Sequence, residues 1–258
     1  MPIIYQPKVR ALEYAPLAAN LYTGCAHGCK YCYVPTIPPW KFGERALFHA
    51  NPRPRNGALE TLQRECQKTP GNGRRVLLSF TTDPYQQIDQ RYRITRKAIH
   101  ALHVGGYGVE ILTKGGFRAL HDLDVFTPAD RFATTMTLLD PTQSAEWEPL
   151  AALPEDRIYT LAAFHNRGIP TWVSLEPVLD PAAALQIIRE TFTFVDLFKI
   201  GKLNHHPLAD LIDWRGFAIA AIELCESLHV RYYVKVDLAA HVRDVPFGAF
   251  RVKAEDVR

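Results

Sequence analysis

Residues 75–113, RVLLSFTTDPYQQIDQRYRITRKAIHALHVGGYGVEILT, contain the pattern that decides the fold. Short apolar runs at Arg75–Phe80 and Val109–Thr113 have the length and composition of buried strands. Between them, Ile94–Val104 repeats apolar residues at helical spacing, and two glycines follow where a helix would end. A strand, a helix and a second strand at this spacing predict a β-α-β unit with parallel strands.

The same alternation continues along the chain and predicts an α/β fold. A first strand is expected at Asn20–Thr23. Further strands are predicted at Phe132–Leu138, Thr171–Leu175, Leu197–Ile200 and Tyr232–Val236, and further helices at Ala58–Lys68, Phe117–Phe126, Glu155–Arg167, Pro181–Thr191 and Leu208–His229. Six or seven such units favour a partial TIM barrel of the (β/α)6 type, whose functional groups follow the carboxyl ends of the strands.

The composition is that of an ordinary globular protein. The chain has 258 residues, 47% of them hydrophobic and 22% charged, and a net charge of +3. This mild basicity is compatible with a nucleic-acid or phosphate-bearing substrate but does not by itself indicate one. We predict a single domain with an N-terminal extension at 1–19, a barrel core at 20–204 and a C-terminal helix, strand and tail at 205–258.

The location of the protein is expected to be the cytoplasm. The sequence has no run of about 18 apolar residues that would span a membrane, and its first residues do not resemble a signal peptide. An odd number of cysteines, three of them clustered, is unlike the disulfide framework of a secreted protein. We therefore expect a reducing compartment and no membrane partner.

The central motif is CAHGCKYC, in which Cys25, Cys29 and Cys32 are spaced C-x3-C-x2-C. Thiolates are soft ligands that suit iron–sulfur clusters or zinc. A structural zinc site or a closed four-iron cluster requires four protein ligands. Three cysteines would instead leave one iron free to bind a substrate or a cofactor.

A second interpretation of the motif is a non-enzymatic module. In that case a zinc ion, or a structural iron–sulfur cluster, would support the binding of nucleic-acid or protein partners. The fourth ligand of a zinc ion would come from His27, Cys66 or Cys225. His27 lies within the tight loop itself, and the other two cysteines fall in predicted helices, where a buried cysteine is often only a small apolar residue.

The segment from 20 to 33, NLYTGCAHGCKYCY, resembles the signature of the radical S-adenosylmethionine (SAM) superfamily. Within it, the segment resembles the spore photoproduct lyase-like branch, whose members are often labelled DNA repair photolyases. The resemblance implies a barrel of the radical SAM kind with a [4Fe–4S] cluster on the three cysteines. It also implies that S-adenosylmethionine binds the open iron and is cleaved to a 5′-deoxyadenosyl radical. A nucleic-acid or nucleotide substrate and an electron donor such as a flavodoxin or ferredoxin would be the partners.

Polar residues that follow two of the predicted strands also resemble the spore photoproduct lyase-like branch. Thr82 and Asp83 follow the Arg75–Phe80 strand, and the resemblance implies that they bind the amino end of S-adenosylmethionine. Lys114 follows the next strand, and its ammonium would contact the carboxylate of the cofactor. The alternatives are a Thr-Asp-Pro turn that only ends a strand and a surface lysine that precedes a turn.

Later strand ends also carry polar groups. A hydroxyl at Thr135 could bond the ribose or carboxylate of the cofactor, although threonine is also a common strand former. Glu176 could bind the ribose, contact substrate, or pair with Lys114 or Lys199. The last strand ends could hold a substrate phosphate, or form salt bridges that close the barrel mouth, through Lys199, Lys202, Asn204, His205, His206, Lys235 and Asp237.

The resemblance to the lyase is incomplete. Spore photoproduct lyase has a cysteine near the end of its second strand that returns a hydrogen atom to the product radical, whereas Phe80 takes that place here. Tyr31 and Tyr33 match tyrosines of the lyase and are the catalytic candidates, although a tyrosine beside a cluster can also simply pack. The absent cysteine argues against dimer reversal as the main activity.

Overall fold

The central sheet decides where the functional groups of this protein lie. The computed structural model describes residues 2–37 and 45–256, and within them eight strands form one sheet in the order β1-β2-β5-β6-β7-β8-β9-β10. These strands are β1 (Ile4–Tyr5), β2 (Leu17–Ala19), β5 (Arg75–Leu78), β6 (Gly108–Thr113), β7 (Arg131–Thr135), β8 (Thr171–Leu175), β9 (Leu197–Ile200) and β10 (Tyr232–Val234). A separate two-stranded sheet consists of β3 (Tyr22–Thr23) and β4 (Arg53–Pro54).

Helices connect the strands and cover the outer face of the sheet. They are α1 (Arg45–Ala50), α2 (Ala58–Lys68), α3 (Asp89–Tyr92), α4 (Ile94–Val104), α5 (Pro141–Trp147), α6 (Pro154–Asn166), α7 (Pro181–Thr191), α8 (Trp214–Ser227) and α9 (Val236–Ala239). Short 3-10 helices occur at Val9–Glu13, Val34–Thr36, Gly116–Val125 and Pro207–Leu211. None of the described helices combines the length and the apolar character that crossing a bilayer requires.

Within the eight-stranded sheet, β2 and β5 to β10 run parallel, and β1 is an antiparallel edge strand. This is the mostly parallel sheet of a partial TIM barrel, as the sequence predicts. The outer face packs on the helices, where Phe132 of β7 stacks on Phe164 of α6 with ring centroids 3.7 Å apart. Side chains alternate between the two faces of a strand, so Trp172 and Lys199 point to the concave face, with the ammonium 4.0 Å from the ring centroid.

The N-terminal segment packs into the concave face. Lys199 donates hydrogen bonds to the backbone carbonyls of Glu13 (3.2 Å) and Tyr14 (2.8 Å). The Glu13 carboxylate in turn accepts a hydrogen bond from the hydroxyl of Tyr233 at 2.8 Å. Residues 9–14 therefore form part of the inner wall of the incomplete barrel.

Several predicted boundaries coincide with the observed ones, but the first strand does not. The prediction of a strand at Asn20–Thr23 is wrong, because the first parallel strand is Leu17–Ala19 and Tyr22–Thr23 pairs with β4 instead. Two small buried residues, Ala18 and Ala19, fit against the sheet, and the Ala19 carbonyl accepts the Ser79 N–H at 2.7 Å. The sheet thus begins before residue 20 and continues beyond residue 204. The single-domain assignment stays a prediction.

Two more elements differ from the sequence prediction. The predicted helix Leu208–His229 is divided into a 3-10 helix and α8, because the Asp213 side chain caps α8 by accepting the Gly216 N–H at 2.9 Å. The predicted helix Phe117–Phe126 is a 3-10 helix at Gly116–Val125. Neither difference changes where the strands end or which polar residues follow them.

We expect Phe164→Ala to lower the free energy of unfolding by about 3–5 kcal/mol, because it removes a fully buried ring that stacks on Phe132. Tyr159→Ala is the matched control, since it truncates an aromatic ring on the same helix that is 60% exposed, and its cost should stay below about 1 kcal/mol. Urea denaturation of the metal-free protein measures both. An equal loss of unfolding free energy in the two variants would contradict the assignment of Phe164 to the core.

Candidate functional site

A single cavity of about 680 Å³ opens at the carboxyl ends of the strands. Of the candidates for a substrate phosphate, Lys199 and His206 do not line this cavity. Its lining includes the residues that the sequence predicts for the cluster, the cofactor and catalysis: Cys25, Cys29, Tyr31, Cys32, Tyr33, Thr82, Asp83, Lys114, Thr135 and Glu176. These side chains come from one loop and four separate strand ends. The parallel sheet brings them together because the strands end at the same edge.

The cysteine loop (residues 24–33) follows β3 and is held by its backbone. Gly24 has a φ of +80°, and a Cβ at this position would approach the Phe48 carbonyl oxygen to 2.6 Å. Only glycine fits such a turn without strain. The Cys25 N–H donates to the Phe48 carbonyl at 3.1 Å. Gln86 accepts the Ala26 N–H at 2.9 Å and donates to the Gly24 carbonyl at 3.2 Å.

Side chains of α1 contact four further carbonyls of this loop. The Arg45 guanidinium donates to the carbonyls of Cys29 (2.8 Å), Lys30 (2.6 Å) and Cys32 (2.9 Å). His49 Nδ1 lies 2.8 Å from the carbonyl oxygen of Cys25. With the backbone fixed in this way, the loop presents its thiols to the cavity.

The chemistry of the three thiols suits a metal centre. Burial raises the pKa of Cys25 and Cys32 and raises that of Cys29 to about 12. Buried thiolates are costly unless a cation replaces their protons. Three neutral thiols beside one cavity are therefore the donor set that a cluster would deprotonate on binding.

The alternative fourth ligands are not placed to complete a zinc site. Cys66 and Cys225 are buried in α2 and α8, and neither lines the cavity. Across residues 2–37 and 45–256, no three histidine, cysteine, aspartate or glutamate side chains converge on the position of a single ion. A cluster of several irons needs no such convergence, because each thiolate binds a different iron.

Asp83 connects the cysteine loop to the neighbouring strand end. Its carboxylate accepts hydrogen bonds from the Thr113 hydroxyl (2.6 Å), the Lys114 N–H (2.7 Å) and the Tyr85 N–H (2.8 Å). His27 Nδ1 lies 3.5 Å from the same carboxylate. Burial alone would raise the pKa of Asp83, but His27 and these hydrogen bonds outweigh it and lower the pKa. Asp83 is therefore a fixed negative charge in the wall of the cavity.

His27 stays neutral in this position. Burial is the main cause that lowers its pKa to about 4. A neutral ring can donate from Nδ1 to Asp83 and accept at Nε2, which lies 3.2 Å from a guanidinium nitrogen of Arg118. The ring thus connects the motif to the strand ends rather than serving as a ligand.

Lys114 belongs to a buried charge network that the sequence did not reveal. Its ammonium lies 3.9 Å from the carboxylate of Glu148, which also accepts hydrogen bonds from the Tyr31 hydroxyl and from Arg157. Burial lowers the pKa of Lys114, but Cys29 in its thiolate form and the Glu148 carboxylate raise it more, so that the net shift of the pKa is upward. Glu148 follows α5 in a loop, and no periodic pattern distinguishes it from a surface carboxylate.

Glu176 pairs with a partner that the sequence did not predict. Its carboxylate accepts hydrogen bonds from Lys235 and from the Tyr14 hydroxyl, the latter at 2.7 Å. The expected pairing with Lys114 or Lys199 is wrong, because Lys199 lies deeper on the concave face near Glu110. Tyr14 comes from the N-terminal segment and adds an unpredicted wall to the cavity.

The remaining predicted residues occupy different parts of the lining. The Thr82 hydroxyl is buried and has no hydrogen-bond partner among the described residues. Thr135 is buried beside Arg157, which donates to the Thr135 carbonyl at 3.0 Å. Tyr33 is 43% exposed at the rim, and partial burial raises its pKa to about 12. Phe80 lies in the cavity with its ring centroid 5.5 Å from that of Tyr14.

A known sequence family and two curated relatives match much of this chain. The family model described as the Radical SAM superfamily matches residues 19–195. An uncharacterized protein of Mycobacterium tuberculosis is 28% identical over 179 residues, which are 67% of this chain and 52% of that protein. An uncharacterized protein of the Acidianus two-tailed virus is 25% identical over 228 residues, which are 80% of this chain and 70% of that protein. The chain thus spans about half the length of the mycobacterial relative.

Solved structures share the fold. A tyrosine-to-phenylalanine variant of spore photoproduct lyase has a TM-score of 0.67 at 14% identity, over 91% of this chain and 79% of the lyase chain. SuiB of Streptococcus suis bound to S-adenosylmethionine has a TM-score of 0.63 at 12% identity, over 90% of this chain and 53% of SuiB. Identities this low establish similarity of fold alone.

We expect Cys25→Ala, Cys29→Ala and Cys32→Ala each to abolish cluster assembly, because a centre with three protein ligands cannot lose one. Cys66→Ala and Cys225→Ala are the matched controls, since both thiols are buried away from the cavity. Iron and sulfide content after anaerobic reconstitution measures the outcome. Loss of the metal in Cys66→Ala would contradict a site that three cysteines hold.

Proposed function

Because this chain belongs to the radical SAM superfamily, we propose that it is an enzyme that cleaves S-adenosylmethionine reductively at a [4Fe–4S] cluster. Cys25, Cys29 and Cys32 would hold the cluster. One observation supports the proposal most strongly: the three thiols and the polar strand ends line the same cavity. A module that only binds a structural metal would need no such polar side chains at the strand ends.

The cofactors would supply chemistry that amino-acid side chains lack. When bound, the reduced cluster provides one electron for cleavage of S-adenosylmethionine into methionine and a 5′-deoxyadenosyl radical. The residues of this chain would bind and orient the cofactor and keep stray hydrogen donors away. The apolar part of the lining, which includes Leu77, Phe80 and Leu112, suits the second task.

The charges of the cavity complement the methionine end of S-adenosylmethionine. The Lys114 ammonium would bind the carboxylate, and the negative Asp83 would attract the amino group. The unpartnered Thr82 hydroxyl gives the amino group a further acceptor. Thr135 would contact the ribose or the carboxylate of the cofactor, and Glu176 would contact the ribose hydroxyls, both from the neighbouring strand ends. Tyr31 and Tyr33 flank Cys32 and are proposed as the catalytic tyrosines.

We propose only the class of the substrate and do not assign the substrate of spore photoproduct lyase to this protein. Phe80 offers no thiol that could return a hydrogen atom to a product radical, and this weakens dimer reversal as the reaction. The fold shared with spore photoproduct lyase, together with the mildly basic charge, favours a nucleic-acid or nucleotide substrate. A flavodoxin or ferredoxin in the cytoplasm is the proposed electron donor.

We expect Lys114→Met and Asp83→Asn each to weaken S-adenosylmethionine binding by about 1.5–3 kcal/mol, the value of one lost charge-assisted hydrogen bond. Calorimetry on the cluster-loaded protein measures the affinity, and the iron content shows that the cluster remains. Lys97→Met is the control, because Lys97 is exposed on α4 and its ammonium contacts only the Tyr92 carbonyl among the described residues, at 3.0 Å. Affinities like that of the wild type in both cavity variants would contradict these roles.

We expect anaerobically reconstituted and reduced protein to convert S-adenosylmethionine slowly into 5′-deoxyadenosine and methionine even without substrate. Chromatography of the products measures the reaction. Cys29→Ala should give neither product, because the cluster cannot assemble. If fully loaded wild-type protein forms no 5′-deoxyadenosine, the proposal fails and a metal-binding module becomes the better explanation.

A further inference from the structure

Part of the cavity lining comes from the N-terminal segment and from the loops that follow β8, β9 and β10, and it has its own set of charges. We call it the outer half, and its charged and polar residues are Lys8, Arg10, Glu13, Glu176, Lys202, Asn204, His205, Lys235 and Asp237. Except for Glu176, all of them lie outside residues 19–195, which the family model matches. The residues proposed to bind the cofactors all lie inside that range. Most of the outer half therefore comes from outside the range that the family model matches.

Each carboxylate in the outer half has partners of its own. Glu176 is paired with Lys235. Asp237 binds Arg10 at 2.8 Å and accepts a hydrogen bond from Asn204 at 3.2 Å. Glu13 accepts hydrogen bonds from the Tyr233 hydroxyl and from the Val236 N–H, both at 2.8 Å. The negative charges of this region are thus already compensated or hydrogen-bonded.

Lys202 and Lys8 remain as cations with no carboxylate within 4.0 Å among the described residues. The Lys202 ammonium lies 3.4 Å from Nε2 of His241 and 5.1 Å from the ring centroid of Trp214. Burial and the neighbouring Lys202 lower the pKa of His241, so its ring is neutral at pH 7 and can accept a hydrogen bond. Neutral partners fix the position of this ammonium without cancelling its charge.

We infer that Lys202 forms a subsite that binds a phosphate group of the substrate. The inference rests on the proposed function, because it assigns the outer half of the cavity to the substrate. A cation held by a histidine lone pair and an aromatic face retains its attraction for an anion. An ordinary structural lysine at a partly buried position would instead pair with a carboxylate.

The donor geometry favours a phosphate over a carboxylate. Planar carboxylates are best recognised by the forked guanidinium of arginine, but Arg10 is already engaged by Asp237. Lysine acts as a point charge, a mode common in phosphate sites. Asn204 and His205 follow Lys202 in the same loop and also line the cavity. One N–H of Asn204 is engaged by Asp237, and its second N–H and the His205 ring offer further donors for the oxygens of a phosphate.

Inorganic pyrophosphate is the probe that tests the subsite. Calorimetric titration of the full chain needs neither S-adenosylmethionine nor a reductant, so the result does not depend on radical chemistry. We expect Lys202→Gln to weaken pyrophosphate binding about tenfold or more, as the loss of a charge-assisted contact implies. Lys202→Arg keeps the charge and should retain most of the affinity. Lys97→Gln removes the same charge from an exposed site on α4 and should bind like the wild type.

Two results would overturn the inference. Pyrophosphate binding that is equal in the wild type and in Lys202→Gln, or absent from both, would show that Lys202 forms no anion site. Glutarate that binds as tightly as pyrophosphate, with the same dependence on Lys202, would show that the site takes carboxylates instead. Conversely, Lys202-dependent pyrophosphate binding by a protein that makes no 5′-deoxyadenosine would keep the subsite and refute the proposed reaction. Thermal unfolding of each variant confirms that its fold is intact.

Discussion

The constraint on which the rest of the structure depends is that three thiols on one short loop must face the same cavity. A loop of this kind has no regular backbone hydrogen bonds of its own, so other parts of the chain must satisfy its carbonyls and N–H groups. Arg45 binds three of the carbonyls, and Gln86 holds the loop from the opposite side. These partners come from α1 and from the loop after β5, so the position of the cysteines depends on distant parts of the folded chain.

The second requirement is to keep charge inside a largely buried cavity. Isolated buried charges are costly, and each one here has a compensating group. Hydrogen bonds stabilise the charge of Asp83. Arg157 and Lys114 compensate the charge of Glu148, and Lys235 compensates that of Glu176. Such networks fix the positions of side chains before any ligand binds, which lowers the cost of binding. Lys202 differs, because its nearest partners among the described residues are neutral.

The two halves of the cavity also differ in their place along the chain. The cysteine loop and the first strand ends belong to residues 19–195, where the family model matches. The N-terminal segment and the last two strand ends supply most of the opposite wall. A common barrel supports different reactions when its core is shared and the rest of its cavity wall varies.

The sequence by itself determined the parallel sheet, the three-cysteine motif and the strand ends that meet at one edge. These features depend on local spacing: apolar periodicity defines strands and helices, and C-x3-C-x2-C places three thiols within eight residues. The tertiary structure alone decided which charges pair. Tyr14 and Glu176 are 162 residues apart, and Lys235 and Glu176 are 59 apart. Contacts of this kind depend on the curvature of the sheet and on the path of the N-terminal segment, and neither leaves a periodic signal in the chain. For the same reason, the roles of Glu148 and of the Leu17–Ala19 strand became visible only in the fold.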